Sequence, residues 1–303
     1  SEDQVLEFLV SQGWNMPGHL LVGHVAVEQL LEQWARPESG LWRKEREVIY
    51  LRRADDPRSH CLPGALLGGR QPKFLARLLP DGREVLVKFS PAGDSPVARR
   101  RRDLLRAERL ALEVLRQRGH AAAEGEIIEA GDRVFLEIRR FDREPDGGRR
   151  GVLSLESLSE RPVPWSGAVE DLVEEGRVAP GLLDKVRFRA CFARLIGEED
   201  PHGRKLSFFV TGLRPKSLTP AYGLRPTAFA PRAEQLFDAP FQPAPPSADE
   251  LPVFTTALAA AEDFWARLAR LEGLSDDFRS LAVDARGKLA AFDRLARRLP
   301  SGM

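Results

Sequence analysis

Two cysteines in 303 residues, Cys61 and Cys191, are too few for a disulfide framework and fit a reducing cytosol. No apolar run approaches the roughly 20 residues that cross a bilayer, and the first residues carry no signal-peptide pattern, so the chain reads as cytoplasmic. Charge of one sign is also lacking. Lys plus Arg number 46 and Asp plus Glu 45, and a net charge of +1 predicts no direct nucleic-acid binding. There is no internal repeat, no Gly-x-Ser-x-Gly elbow and no His-Glu-x-x-His pair, which weighs against a repeat array, a serine hydrolase and a zinc peptidase. The five histidines are scattered, and no second His or Cys stands at metal-ligand spacing from His202. The chain begins with Ser rather than Met, so an upstream segment is expected.

What remains is an ordinary globular composition, 43% hydrophobic and 30% charged, long enough for one large domain or two lobes. Residues 3 to 36 show helical spacing, broken at Gly13, Pro17 and Gly18. REVIYLRR (46 to 53) reads as a short strand. FLARLL and REVLVKFS flank Pro80-Asp81-Gly82, a hairpin signal, and EGEIIEAG with DRVFLEIRRF (124 to 141) supplies a second hairpin. Between them, 97 to 118 is a long Arg- and Leu-rich helix whose start, Arg99 to Arg102, reads as a solvated face. Residues 143 to 151 are polar and glycine-rich and predict a boundary between a lobe of residues 1–142 and one of residues 143–303. Helices are expected at 166–176, 181–197, 250–272 and 275–298, a strand pair at LSFFV and SLTPAY, and a capping box at Ser247 and Glu250. Cys191 falls in an apolar helix pattern and reads as a small core residue. The class is α+β, with a β-rich small lobe and a helical large lobe.

Two stretches carry chemistry. A glycine turn lets backbone N–H groups approach phosphates, and a lysine on the adjacent strand pairs with them. Gly68 and Gly69 fit the turn, Lys88 fits the strand lysine, and Glu108 in RAERLAL fits a carboxylate that orients it. Each is also compatible with an ordinary turn and a solvent-facing lysine. In IGEEDPHGRKLSFF (196 to 209), Asp200 follows a helix and precedes a strand, a place where a carboxylate accepts a hydroxyl proton. With Glu198 and Glu199 beside it, the same loop reads equally as a solvated acidic turn, and His202 as a structural residue.

Taken in order, GGRQPKFLARL, EVLVKFSP, AERLAL, RVFLEIRRFDR, ARLIGEEDPHGRKLSFF and LTPAYGLRPTAFAP resemble the HipA family of serine/threonine kinases, most nearly its YjjJ-type branch, whose members read GGEQPKF, VKFSP, RFDR, IGNTDxHxxNLSF and PAYDMLP. The resemblance runs from about residue 3 to 235. It implies a two-lobe, protein-kinase-like HipA fold binding ATP, with Lys88, Gly68, Gly69, Gln71 and Lys73 near the phosphates, Glu108 supporting Lys88, and a catalytic set of Asp200 as base with His202 and Lys205. It also implies a protein acceptor or an antitoxin-like partner. Longer members of that branch carry an N-terminal DNA-binding region, for which no counterpart is read here.

The departures sit on the metal. The family's second magnesium-ligating position, an asparagine, is Lys205 here, and the principal ligand, the aspartate of PAYD, is Gly223. Arg70 replaces an acidic residue, and Ala65, Leu66 and Leu67 stand where many members carry loop serines. Magnesium takes oxygen ligands at about 2.0–2.1 Å, and neither an ammonium nor a glycine supplies one. No metal ligand set is therefore assigned. The expectation is a HipA-like protein with an ATP cleft and a degenerate magnesium site, a pseudokinase or an altered nucleotide-dependent transferase. The alternatives are an active kinase toxin using Asp200 and a non-catalytic protein-binding module.

Overall fold

The computed structural model describes residues 2–36, 40–56, 71–144, 146–237 and 241–296. Three helices lead in, α1 (Glu2–Gln12), α2 (His24–Trp34) and α3 (Arg46–Asp55). The third corrects the strand expected at 46–53. Short apolar runs fit either period, and here Tyr50 and Ala54, four apart, are buried while Val48 is 63% exposed. A strand would put Val48 and Tyr50 on one face. Tyr50 packs edge-on against Phe74, and its hydroxyl donates to Glu137 at 2.7 Å.

The small-lobe sheet orders β1 (Leu41–Trp42), β2 (Lys73–Leu79), β3 (Glu84–Phe89), β4 (Gly125–Ala130) and β5 (Arg133–Arg139) as β1-β2-β3-β5-β4. Both expected hairpins form. Alternation along β3 decides the geometry of the site. Val85, Val87 and Phe89 join Tyr50, Phe74 and Phe135 in a core under α3, so Lys88 leaves by the opposite face.

That face is covered by α4 (Pro96–Gln117), capped by Ser95, whose hydroxyl accepts from the Ala98 N–H at 3.1 Å. The arginine run at its start is less solvated than expected. Arg99 and Arg102 both pair with Asp94, Arg101 pairs with Glu234, and buried Arg100 donates to the Phe229 carbonyl at 3.0 Å.

A second sheet holds β6 (Gly151–Ser154), β7 (Ser207–Thr211) and β8 (Arg214–Leu218) in the order β6-β7-β8. The second strand is RPKSL, earlier than the expected SLTPAY. After Leu218 the chain leaves the sheet, Pro220 has no N–H for a ladder, and Ala221 pairs instead with residues 121–123. Around this sheet lie α5 (Leu155–Leu158), α6 (Trp165–Glu174), α7 (Leu183–Leu195), α8 (Leu251–Leu268) and α9 (Asp276–Ala296). The Ser247–Glu250 capping box forms, and Cys191 is fully buried. One continuous core runs through α4, β5, α7, α8 and α9, so α4 is held by both halves of the molecule.

The RFDR motif anchors the lead-in helices. Buried Asp142 accepts from Arg140 and Arg143, each at 2.8 Å, and from the Gly18 N–H at 2.8 Å. Asn15 accepts from the same two arginines.

Candidate functional site

Lys73 lies opposite Lys88 in the antiparallel register of β2 and β3, and cross-strand partners share a face. Glu108 comes from α4, in a buried stripe with Leu104 and Leu112. Its side chain is fully buried and takes the Lys88 ammonium as a hydrogen-bonded ion pair. The solvent-facing reading of Lys88 is thereby excluded. Burial works to raise the Glu108 carboxyl, but Lys88 and then Arg225 outweigh it and hold the group below its ordinary value. Lys73, 8% exposed, is pulled down to about 8 by burial, with Lys88 and Arg225 adding to the effect.

Arg225 was not foreseen. Its guanidinium lies 3.8 Å from Glu108 Oε2 and donates to Gln71 Oε1 at 3.3 Å, while the Gln71 amide donates to the Phe89 carbonyl at 2.6 Å. Gln71, Lys73, Lys88 and Glu108 are thus brought together as the sequence predicts, with Arg225 added from the other half of the chain. Gly68 and Gly69, with Ala65 to Leu67 and Arg70, lie outside the described residues.

The Asp200 loop is built on a helix end. Gly197, at φ 80°, takes the left-handed cap position after α7, and the Glu198 N–H closes back on the Ala193 carbonyl at 2.9 Å. Glu198 then turns inward, against the solvated reading; Glu199 and Asp200 stay exposed. Glu198 Oε1 accepts from the Asp200 N–H at 2.9 Å and from the Thr227 hydroxyl at 2.6 Å. Its Oε2 lies 2.8 Å from Lys205 Nζ. The Thr227 hydroxyl in turn accepts from the Glu199 N–H at 2.8 Å. One buried carboxylate therefore holds the backbone of the Asp200 loop and the ammonium of Lys205.

Gly223 stands beside that ammonium's stem. A Cβ there would sit 3.9 Å from Lys205 Cγ, and φ is 70°. His202 is half-buried, its Nδ1 has no hydrogen-bond partner among the described residues, and burial followed by Lys205 depresses its pKa. It sits against the loop as a neutral ring, and its carbonyl accepts the Lys205 N–H at 3.0 Å.

Four cations, Lys73, Lys88, Lys205 and Arg225, therefore gather around two buried carboxylates, Glu108 and Glu198; both Lys88 and Glu108 feel the charge of Lys205. Such an arrangement neutralises phosphate oxygens. Lys205 and Gly223, which the resemblance sets at the family's magnesium positions, do not fit that ion: one carries an ammonium paired with Glu198, the other has no side chain. No group of three or more His, Cys, Asp or Glu suited to a metal occurs among the described residues.

Residues 65–288 match the HipA-like C-terminal domain. The chain is 30% identical to Toxin YjjJ of Escherichia coli strain K12 over 98% of its own length and 68% of that protein's. The chain belongs to the HipA family. Its fold is that of HipA from Shewanella oneidensis MR-1, solved in a toxin–antitoxin complex with HipB and operator DNA. The TM-score is 0.53 at 18% identity, over 96% of this chain and 85% of that one. The Helicobacter pylori proinflammatory kinase CtkA aligns at a TM-score of 0.49 and 12% identity, over 76% of this chain and 90% of that one.

Against the family letters, the unforeseen residues have a pattern. Glu198 stands where IGNTD has asparagine, and Arg225 where PAYDMLP has its leucine. The charged pair Glu198 and Lys205 replaces two asparagines at once. A carboxylate and a lysine departing together seven residues apart was the available signal, obscured by reading the loop as acidic and solvated.

Proposed function

We propose that this HipA-family protein binds a nucleoside triphosphate between a lobe of residues 1–142 and one of residues 143–303, and that phosphoryl transfer at Asp200 is strongly reduced. Lys73, Lys88, Gln71 and Arg225 face the phosphates, and Glu108 keeps Lys88 extended. Bound nucleotide would supply a transferable phosphoryl group. Asp200, exposed like its neighbour Glu199, is positioned to accept a hydroxyl proton, its backbone fixed by Glu198. The single observation that carries the reading is the Lys205–Glu198 ion pair at a metal position. Charge on a transferring phosphoryl group is ordinarily neutralised by ions bridging its oxygens, and here a protein ammonium occupies part of that role. The function is then nucleotide sensing or slow transfer, exercised in the cytoplasm on an antitoxin-like protein partner.

The exposed Asp200 carboxylate favours a second reading, an active serine/threonine kinase toxin. Incorporation of labelled phosphate from ATP into the protein itself and into a generic protein acceptor decides between them. The proposed reading expects little or none. Vigorous transfer abolished by Asp200→Ala overturns it in favour of the kinase. Failure of the protein to bind nucleotide at all would leave a protein-binding module.

A further inference from the structure

We infer that this site selects the metal-free form of a polyphosphate, so that magnesium opposes nucleotide binding instead of promoting it. The inference rests on the nucleotide-binding reading and concerns the charge state of the ligand. Lys73, Lys88, Lys205 and Arg225 outnumber Glu108, Glu198 and the exposed Asp200, which leaves the cluster with surplus positive charge before any ligand enters. Each buried carboxylate already faces protein cations: Glu108 Oε1 is hydrogen-bonded to Lys88 with Oε2 3.8 Å from Arg225, and Glu198 Oε1 accepts from Thr227 and the Asp200 N–H with Oε2 2.8 Å from Lys205 Nζ, so a metal reaching either free oxygen displaces an ammonium or guanidinium. A divalent ion entering beside Lys205 meets a like charge with no oxygen ligand from Gly223 to compensate.

The ligand's charge works the same way. The magnesium complex of a nucleoside triphosphate carries roughly half the negative charge of the free anion, so attraction to a fixed cationic cluster falls when the ion is bound. Lys205 has the means to serve both partners. An ammonium has three donors, and Lys205, its side chain 13% exposed, is ion-paired with Glu198 at 2.8 Å. Gly223 leaves its stem unobstructed: the nearest approach of a Cβ built there is 3.9 Å, to Lys205 itself. Glu198 stays fixed by Thr227 and the loop N–H while the ammonium shares itself with a phosphate oxygen.

The test is calorimetric titration of the full chain at constant ionic strength with ATP in EDTA, ATP in excess magnesium, and inorganic tripolyphosphate in EDTA. The expected dissociation constant for ATP is at least about tenfold larger with magnesium than with EDTA. In Glu198→Gln/Lys205→Met, which takes the ammonium away from Gly223 and leaves the net charge of the cluster unchanged, that ratio should fall but stay above one, because Lys73, Lys88 and Arg225 still favour the more highly charged free anion. Equal or tighter ATP binding in magnesium overturns the inference and leaves the nucleotide reading standing. Tripolyphosphate binding without ATP binding overturns the nucleotide reading instead, and binding of neither overturns both.

Discussion

Replacing Lys205 by methionine should destabilise the protein far more than the loss of one partly buried lysine suggests. Met keeps the stem and removes the ammonium, leaving Glu198, whose side chain is fully buried, with an uncompensated charge. Its Oε1 keeps the Asp200 N–H and the Thr227 hydroxyl, but Oε2 loses its partner. Removing one member of a buried ion pair costs roughly 3–5 kcal/mol, and because the Lys205 side chain is 13% exposed, the lower end, about 3 kcal/mol, applies. Glu198→Gln leaves an ammonium that can turn toward water and costs about 1 kcal/mol. The double variant Glu198→Gln/Lys205→Met carries no buried charge and should also cost only about 1 kcal/mol, giving a coupling of about 2–3 kcal/mol. Urea unfolding followed by fluorescence of the buried Trp165 and Trp265 measures this as midpoint shifts at unchanged slope. A Lys205→Met cost that simply adds to that of Glu198→Gln within about 0.5 kcal/mol would show that the two do not act as a unit.

The remaining predictions concern protons and chemistry. Lys73 titrates near 8 when folded, against 10.5 ordinarily. Between those values the unfolded chain holds a proton that the folded one lacks, so this group's penalty on stability is full below pH 8 and is relieved as pH rises. Polyphosphate affinity runs the other way: it should fall as pH climbs through about 8, and calorimetry at pH 8 in buffers of different ionisation enthalpy should show proton uptake on binding; no uptake contradicts the placement of Lys73 at the phosphates. The triple reversion Lys205→Asn, Gly223→Asp, Glu198→Asn should raise magnesium-dependent phosphate transfer by roughly a hundredfold, since a catalytic metal contributes several kcal/mol of transition-state stabilisation. Omitting the third change should leave a poorly folded protein with Glu198 stranded.

Much of this was legible because local signals agreed. The Asp81-Gly82 turn, the second hairpin around Gly131 and the Ser247–Glu250 box all read from neighbours in sequence. The order of strand lysine and helical glutamate left Lys88 open between Glu108 and solvent; the family resemblance favoured Glu108, and period-two alternation in β3 with the apolar stripe of α4 is why the two meet. Failures came where tertiary context decides. An eight-residue run with apolar and charged residues mixed fits helix and strand alike, and only the Tyr50 pocket under the sheet resolves 46–53 as helix. Glu198 looks like any acidic loop residue until the glycine cap of α7 turns it inward, and Arg225 gains its role from Gln71, more than a hundred residues earlier.

The most direct test of the central claim, that a protein ammonium held by Glu198 stands at the metal position, is electron paramagnetic resonance of Mn²⁺ added as a magnesium substitute to the protein with ATP. The account predicts the spectrum of Mn²⁺–ATP free in solution, with no protein-bound species in the starting protein and a bound species in the triple reversion. A protein-bound Mn²⁺ signal in the unmodified protein, lost in Asp200→Ala, would contradict it.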